Sequence, residues 1–138
     1  VSDAVRSSFE RFPSLECDER TAKVGLQTGD DFRFVRTCWE GALEEGTWVS
    51  FAKGGGFARY YSDFPLLVNW AGHGREISSF QPAVVRNQQF YFRPGATWSD
   101  RTTKSFSARV WPQDGVFSVK GSAGFFRDEI WLAIALLN

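Results

Sequence analysis

Turn residues interrupt this chain at short intervals, and they limit its regular structure to short segments. The clearest interruptions are at residues 28–31, 71–74, 94–95 and 111–115, where glycine, proline and aspartate favour tight turns. Between them the sequence is rich in aromatic and β-branched residues, and residues 105–111 alternate between apolar and polar side chains. That alternation is typical of a half-buried strand. The sequence therefore predicts short strands connected by loops.

One apolar segment is continuous, at Ile130–Leu137. It is much too short to span a bilayer, and it is apolar nearly all round, which predicts a buried helix. With 43% hydrophobic residues in 138 positions, the chain can form one core. We therefore predict a single domain over residues 1–138, with an α+β fold of mostly short antiparallel strands and loops and one buried C-terminal helix.

Seven apolar side chains from these segments are assigned to the core. Two of them belong to a strand predicted over residues 32–36, where the pattern alternates in part. The seven are Phe32, Phe34, Trp70, Phe90, Phe92, Phe106 and Val110.

The formal net charge is zero, but the charges are unevenly distributed. Residues 1–45 contain 6 basic and 10 acidic residues, whereas residues 46–127 contain 10 basic and 4 acidic residues. A basic middle between acidic ends is compatible with a nucleic-acid surface. Local charge excess also occurs on ordinary protein surfaces, so the imbalance alone does not decide the matter.

The segment Lys53-Gly-Gly-Gly has two interpretations. It lacks the GxxxxGK[ST] pattern of a P-loop. A glycine-rich turn beside Lys53 and Arg59 can still bring backbone N–H groups close to a DNA phosphate. The alternative is a flexible connection between two strands.

The richest polar segment is Arg86-Asn87 followed by residues 93–104. Arginine and lysine bind phosphates, arginine also grips guanine in the major groove, and asparagine pairs with adenine. Trp98 can stack on a base or sugar. The alternative is a polar hairpin loop with Trp98 packed beneath it. The candidate DNA-contacting residues of the chain are Lys53, Arg59, Arg86, Asn87, Arg93, Trp98, Arg101 and Lys104.

Motifs of catalysis are missing from the sequence. An adenine-N6 methyltransferase needs a glycine-rich cofactor motif and an Asn/Asp-Pro-Pro-Tyr/Phe motif for the flipped base, and the chain contains no Pro-Pro pair. No Cys/His cluster suggests zinc. Cys17 and Cys38 are interpreted as reduced thiols of a cytoplasmic protein. We expect no catalytic, cofactor-binding or metal-binding residue in this chain.

Three segments together resemble a known family. Residues 25–36 (GLQTGDDFRFVR) are similar to the G-x-x-T-G-x-N-x-x-F segment that follows the catalytic domain in type IIG restriction-modification enzymes and in the large methyltransferases of phage-exclusion (BREX, Pgl) systems. Residues 48–61 with 67–70, and then residues 91–98 with 106–109, resemble the next two blocks of those proteins in order and spacing. Asp31 stands where the family usually has asparagine.

The resemblance implies a target-recognition or DNA-contacting region of an adenine-specific DNA methyltransferase. The partners it implies are double-stranded DNA and the catalytic domain of the same parent chain, and no membrane. S-adenosylmethionine would be bound by the parent protein and not by this region. Because the chain begins Val-Ser-Asp, contains no methionine and ends within a helical pattern, we expect a fragment of a larger protein.

A second function remains open. The chain can be a protein-docking module within a phage-defence complex, for which aromatic residues such as Tyr60, Tyr61 and Trp98 are suited. Salt dependence separates the two functions, because phosphate contacts weaken steeply as salt rises and an apolar interface does not.

Overall fold

The structure is a computed structural model that describes the chain except for residues 1, 13, 15, 19, 41–45, 112–113 and 128. The helices of the described part are α1 (Asp3–Arg11), α2 (Asp31–Phe34), α3 (Ala71–Ser79) and α4 (Ile130–Leu137), with a 3₁₀ turn at Gln88–Phe90. Its strands are β1 (Arg20–Lys23), β2 (Val35–Thr37), β3 (Trp48–Ala52), β4 (Leu66–Asn69), β5 (Gly95–Thr97), β6 (Arg109–Trp111), β7 (Gly115–Phe117) and β8 (Ala123–Phe126). None of these helices combines the length and apolar character needed to cross a bilayer.

The strands form two four-stranded sheets, with the orders β1-β8-β5-β6 and β2-β4-β3-β7. All pairings are antiparallel except that of β3 with β7, in which Phe51 lies opposite Val116. Strands β7 and β8 follow each other in the chain but belong to different sheets, so the turn at residues 118–122 links the two sheets. The predicted α+β fold of mostly short antiparallel strands is confirmed.

The main core lies where side chains of the two sheets meet. Phe51 of β3, Phe117 of β7 and Phe125 of β8 belong to it, and the rings of the last two are 5.6 Å apart. Phe34 and Trp70 are buried in this core as predicted. Phe90 packs against the main core and Val110 against the smaller cluster beneath α4, both partly buried.

The assignment of Phe32 to the core is wrong, because its side chain is 94% exposed. Residues 31–34 form a helical turn in place of the predicted strand. The cause is local: the carboxylate of Asp30 accepts a hydrogen bond from the backbone N–H of Arg33 at 3.2 Å, which caps this turn. Helical geometry turns Phe34 inward and leaves Phe32 in solvent.

Phe92 and Phe106 are also more exposed than predicted. Neither residue lies in a strand, so the alternation that directs every second side chain inward does not apply to them. Phe92 has a left-handed backbone with φ of 59°, and its N–H donates to the Gly115 carbonyl at 2.9 Å.

The C-terminal helix is present as predicted, but its burial is not. Ile134 is buried on Ala96 and Phe126 of the first sheet. The opposite side is open, with Trp131, Leu132 and Leu136 exposed by 70%, 56% and 78%. A helix that packs on one sheet can bury only one side, and no described residue of this chain covers the other.

Candidate nucleic-acid interface

Two loops run side by side on the surface: the glycine loop (residues 53–57) with its continuation to Tyr60, and the facing loop (residues 98–108). The Ser99 hydroxyl donates to the Gly55 carbonyl at 3.0 Å, and the guanidinium of Arg59 donates to the Ser105 hydroxyl at 3.2 Å. Further along, the Tyr60 N–H donates to the Ala108 carbonyl at 2.9 Å. Residues more than forty positions apart in sequence are therefore held as neighbours.

A third segment, the turn at residues 118–121, closes one end of this surface. Lys120 N–H and Gly121 N–H both donate to the Ser118 hydroxyl, at 3.0 and 3.1 Å. The turn approaches the glycine loop so closely that a Cβ on Gly54 would lie 2.7 Å from the Lys120 carbonyl oxygen. A Cβ on Gly121 would lie 2.5 Å from the Gly54 nitrogen. Glycine is required at both positions because backbone meets backbone there.

The three segments enclose an open groove of about 580 Å³. Its cationic lining residues are Lys53, Arg101 and Lys120. Its one acidic lining residue is Asp100, whose carboxylate accepts a hydrogen bond from the Ser122 hydroxyl at 2.8 Å. The groove is consequently positive, with a geometry set by backbone contacts.

Two more cations lie beside the groove around one aromatic ring. The Lys104 ammonium is 5.1 Å and the Arg59 guanidinium 5.6 Å from the centre of the Phe57 ring. Such cation–π contacts orient the side chains without neutralising their charge. None of Arg59, Arg101, Lys104 and Lys120 forms a salt bridge with a carboxylate that the structure describes. These four charges are available to an anionic partner.

Lys53 differs from these four because it is paired. Its ammonium forms an ion pair with the Asp31 carboxylate, which also accepts a hydrogen bond from the Thr28 hydroxyl. Burial raises the pKa of Asp31, but the hydrogen bonds from Lys53 and Thr28 outweigh it and lower the pKa overall. Asp31 is therefore ionised at neutral pH and competes with any phosphate for Lys53.

The sequence-predicted contacts divide into two groups. Lys53 and Arg101 line the groove, and Arg59 and Lys104 lie beside it around the Phe57 ring. Arg86, Asn87 and Arg93 lie around the 3₁₀ turn, before β5, whereas the facing loop follows β5. The two groups are thus at opposite ends of that strand.

Of the second group, the Asn87 side chain is hydrogen-bonded within the chain, whereas Arg86 and Arg93 form no salt bridge that the structure describes. The amide nitrogen of Asn87 donates to the Val24 carbonyl at 2.9 Å, and the Arg93 guanidinium lies 5.4 Å from the centre of the Phe90 ring. Trp98 is half-buried, with its ring centre 5.6 Å from that of Phe106. Trp98 also lines a small apolar cavity of about 200 Å³ beside α4, which matches the alternative of a packed tryptophan.

The sequence reasoning missed one residue of the groove, Lys120, and one residue beneath the glycine loop, Arg109. Lys120 stands in a turn between two short strands, and the pair Lys120-Gly121 was its one visible signal. Arg109 is predicted by its pattern to lie in a strand, as it does, yet its side chain is buried beneath the glycine loop and is 1% exposed. No local pattern indicates a buried arginine.

Comparisons with known proteins find that the chain is similar to parts of longer proteins. It is 30% identical over 140 residues to the adenine-specific methyltransferase PglX of Lacticaseibacillus casei (strain Zhang), an alignment covering 86% of this chain and 12% of that protein. It is 32% identical over 137 residues to the adenine-specific methyltransferase BrxX of Escherichia coli O9:H4 (strain HS), covering 93% of this chain and 11% of that protein. No protein-family model matches the chain.

The chain thus spans about one-eighth of the length of these curated relatives. The expected resemblance is confirmed to this extent: the chain is homologous to one segment of proteins named adenine-specific methyltransferases.

Proposed function

We propose that this chain is a DNA-contacting segment of a larger adenine-specific DNA methyltransferase of a phage-exclusion (BREX) or restriction-modification system, and that it is not catalytic by itself. The observation that carries the proposal is the gathering of five cations on three adjacent loops. They are Lys53, Arg59, Arg101, Lys104 and Lys120. In this proposal S-adenosylmethionine and the target adenine are bound by the catalytic domain of the parent chain.

Duplex DNA suits such a surface because its phosphates form a dense line of negative charge, one per about 1.7 Å of helix axis. The four cations outside salt bridges can contact phosphates without first breaking an ion pair that the structure describes. Arg59 and Arg101 are exposed and long enough to reach guanine edges as well as phosphates. Target recognition would depend on these two arginines, and overall affinity on the whole set.

The test is equilibrium binding of a labelled random-sequence duplex to the folded chain over a series of salt concentrations. Five phosphate contacts predict a slope of about −4.5 in a plot of log affinity against log salt. Between 50 and 200 mM salt the affinity would then fall by roughly 500-fold. The triple variant Arg59→Gln, Arg101→Gln, Lys104→Gln is expected to reduce the steepness of that slope by about 2.7.

A second triple variant controls for net charge. The variant Arg75→Gln, Arg86→Gln, Arg93→Gln also removes three positive charges, but from positions outside the groove. Two of them, Arg86 and Arg93, are DNA-contact candidates predicted from the sequence. We expect its salt slope to stay at the unaltered value. Equal slopes for the two triples, or no duplex binding by a folded chain at 50 mM salt, would contradict the proposal.

A protein-docking role is the second candidate, and exposed aromatic side chains favour it. Tyr60 and Tyr61 are exposed next to the glycine loop, and α4 presents Trp131 and Leu136 to solvent. Aromatic residues of this kind are enriched in protein interfaces. Binding to a partner through them would persist as salt rises, whereas duplex binding would not.

A further inference from the structure

Three consecutive carbonyl groups of the glycine loop, those of Gly54, Gly55 and Gly56, accept hydrogen bonds from side chains of this chain. Arg109 donates through its guanidinium to the Gly54 carbonyl at 2.7 Å and to the Gly56 carbonyl at 3.2 Å. The Ser99 hydroxyl donates to the Gly55 carbonyl at 3.0 Å. The middle of the loop is therefore held through three consecutive carbonyl oxygens.

This arrangement determines the direction of the N–H groups. The described chain has no cis peptide bond, and in a trans peptide the N–H points opposite to the C=O of the preceding residue. The N–H groups of Gly55, Gly56 and Phe57 consequently point away from Arg109 and Ser99. No acceptor in the described part of the chain bonds to any of the three. The three N–H groups are therefore free donors on the face of the loop opposite Arg109, and free backbone N–H groups in glycine-rich turns are donors for anions.

A second, independent observation points to a negatively charged ligand. Arg109 is 1% exposed, its Nε has no hydrogen-bond partner, and it forms no salt bridge within the described residues. Its acceptors are neutral, namely two carbonyls and the Ser99 hydroxyl at 3.2 Å. A buried cation is costly unless an anion compensates it. Burial also lowers the pKa of Arg109, in keeping with a charge that lacks its counterpart.

The charge of Arg109 also acts on the N–H groups through the peptides between them. A carbonyl that accepts a hydrogen bond from a cation polarises its peptide, and the N–H at the other end becomes a stronger donor. Glycine leaves the outer surface of the loop clear, since a Cβ on Gly56 would meet nothing within 4 Å. Gly55 has φ of 126°, a conformation that side chains disfavour.

We propose that the glycine loop is a phosphate-binding site, in which the N–H groups of Gly55, Gly56 and Phe57 donate to phosphodiester oxygens on the face of the loop opposite the buried Arg109. Lys53 and Lys120 line the same groove as Gly54 and Gly55 and supply flanking charge. The phosphodiester source rests on the proposed DNA-contacting function. The N–H donor set does not, because inorganic phosphate presents the same oxygens.

The first experiment observes the N–H groups directly. The ¹⁵N-labelled chain is titrated with sodium phosphate replacing chloride at constant ionic strength, and amide shifts are followed by NMR. We expect the amides of Gly55, Gly56 and Phe57 to move downfield together and more than other amides. If these three stay in place while the chain is folded, the inference is overturned.

The second experiment removes one donor. Gly56→Pro deletes the N–H, whereas Gly56→Ala keeps it and adds a methyl group in open space; Gly56 does not have positive φ. With a labelled duplex, we expect Gly56→Pro to weaken binding by about tenfold and Gly56→Ala by less than twofold. Thermal unfolding checks that both variants fold, and if Gly56→Pro does not, the amide titration alone decides.

The outcomes separate the two proposals. Duplex binding that both variants retain, together with unmoved loop amides, would overturn the phosphate site and leave the DNA-contacting function standing. Loop amides that respond to inorganic phosphate in a chain that does not bind duplex would support the site and overturn DNA as its source.

Discussion

Replacing Asp31 by asparagine tests whether the groove is held below its full positive charge. Asp31 is the carboxylate that pairs with Lys53 and also accepts a hydrogen bond from Thr28. Asparagine has nearly the same shape and keeps an oxygen for Thr28, but it has no charge for Lys53. We therefore expect the Asp31→Asn variant to bind duplex DNA more tightly than the unaltered chain.

The size of the effect follows from the exposure of the pair. The Asp31 side chain is 52% exposed, and partly exposed ion pairs contribute at most about 1 kcal/mol. Lys53 loses that contribution when it turns to a phosphate, so removing the competitor should raise affinity by up to about fivefold. If Lys53 contacts no phosphate while Asp31 is present, the salt slope should also steepen by about 0.9.

The assay is the duplex titration at several salt concentrations, with Asp30→Asn as the matched control. Asp30 carries the same charge one residue away, does not contact Lys53, and caps α2 through an oxygen that asparagine also possesses. An equal gain in affinity for the two variants would show that only net charge matters. Weaker binding by Asp31→Asn would refute the competition between Asp31 and phosphate.

Three further predictions concern stability. The pKa of Asp31 is lowered in the folded chain, so its ionised carboxylate adds to the free energy of unfolding above the unfolded pKa of about 3.9, and this contribution is lost as pH falls through the folded pKa. In urea unfolding between pH 2 and 6, the Asp31→Asn variant should therefore lose less stability on acidification than the unaltered chain. Ile134→Ala should cost about 2–4 kcal/mol, whereas Leu136→Ala, on the exposed side of α4, should cost less than about 0.5 kcal/mol; equal costs in urea unfolding would mean that α4 packs differently. Gly121→Ala should lower the free energy of unfolding by about 1–3 kcal/mol, because its Cβ would overlap the backbone of residues 52 and 54. The control Gly56→Ala should unfold at nearly the same temperature as the unaltered chain. A Gly121→Ala variant of unaltered stability would contradict the close approach of the turn at residues 118–121.

Local sequence patterns predicted the kinds of secondary-structure element in the fold, but they predicted the burial of individual side chains less accurately. Residues 28–30 separate β1 from α2 as the turn signal predicts, whereas Gly95, predicted to end a strand, is the first residue of β5. Phe32 was assigned to the wrong environment because one capping carboxylate converts the start of an alternating segment into a helical turn. For α4, the apolar pattern predicted the helix correctly, but burial depends on how many neighbours surround it.

Some properties of this protein follow from the sequence by itself. Short aromatic segments between turns determine an α+β fold of short strands, since turn chemistry and alternation act over only a few residues. The cations at positions 53, 59, 101 and 104 could likewise be nominated from their polar, glycine-rich surroundings.

Only the tertiary structure decided which of these cations meet. The parallel pairing of β3 with β7 brings the turn at Lys120 to the end of β3, from which the glycine loop leaves. The pairing of β5 with β6 joins the two ends of the facing loop and sets Arg109 opposite Thr97. These contacts join residues tens of positions apart, and their register depends on which side chains fill the shared core. The positive groove and the buried arginine beneath it therefore exist in the folded chain and in no single segment of it.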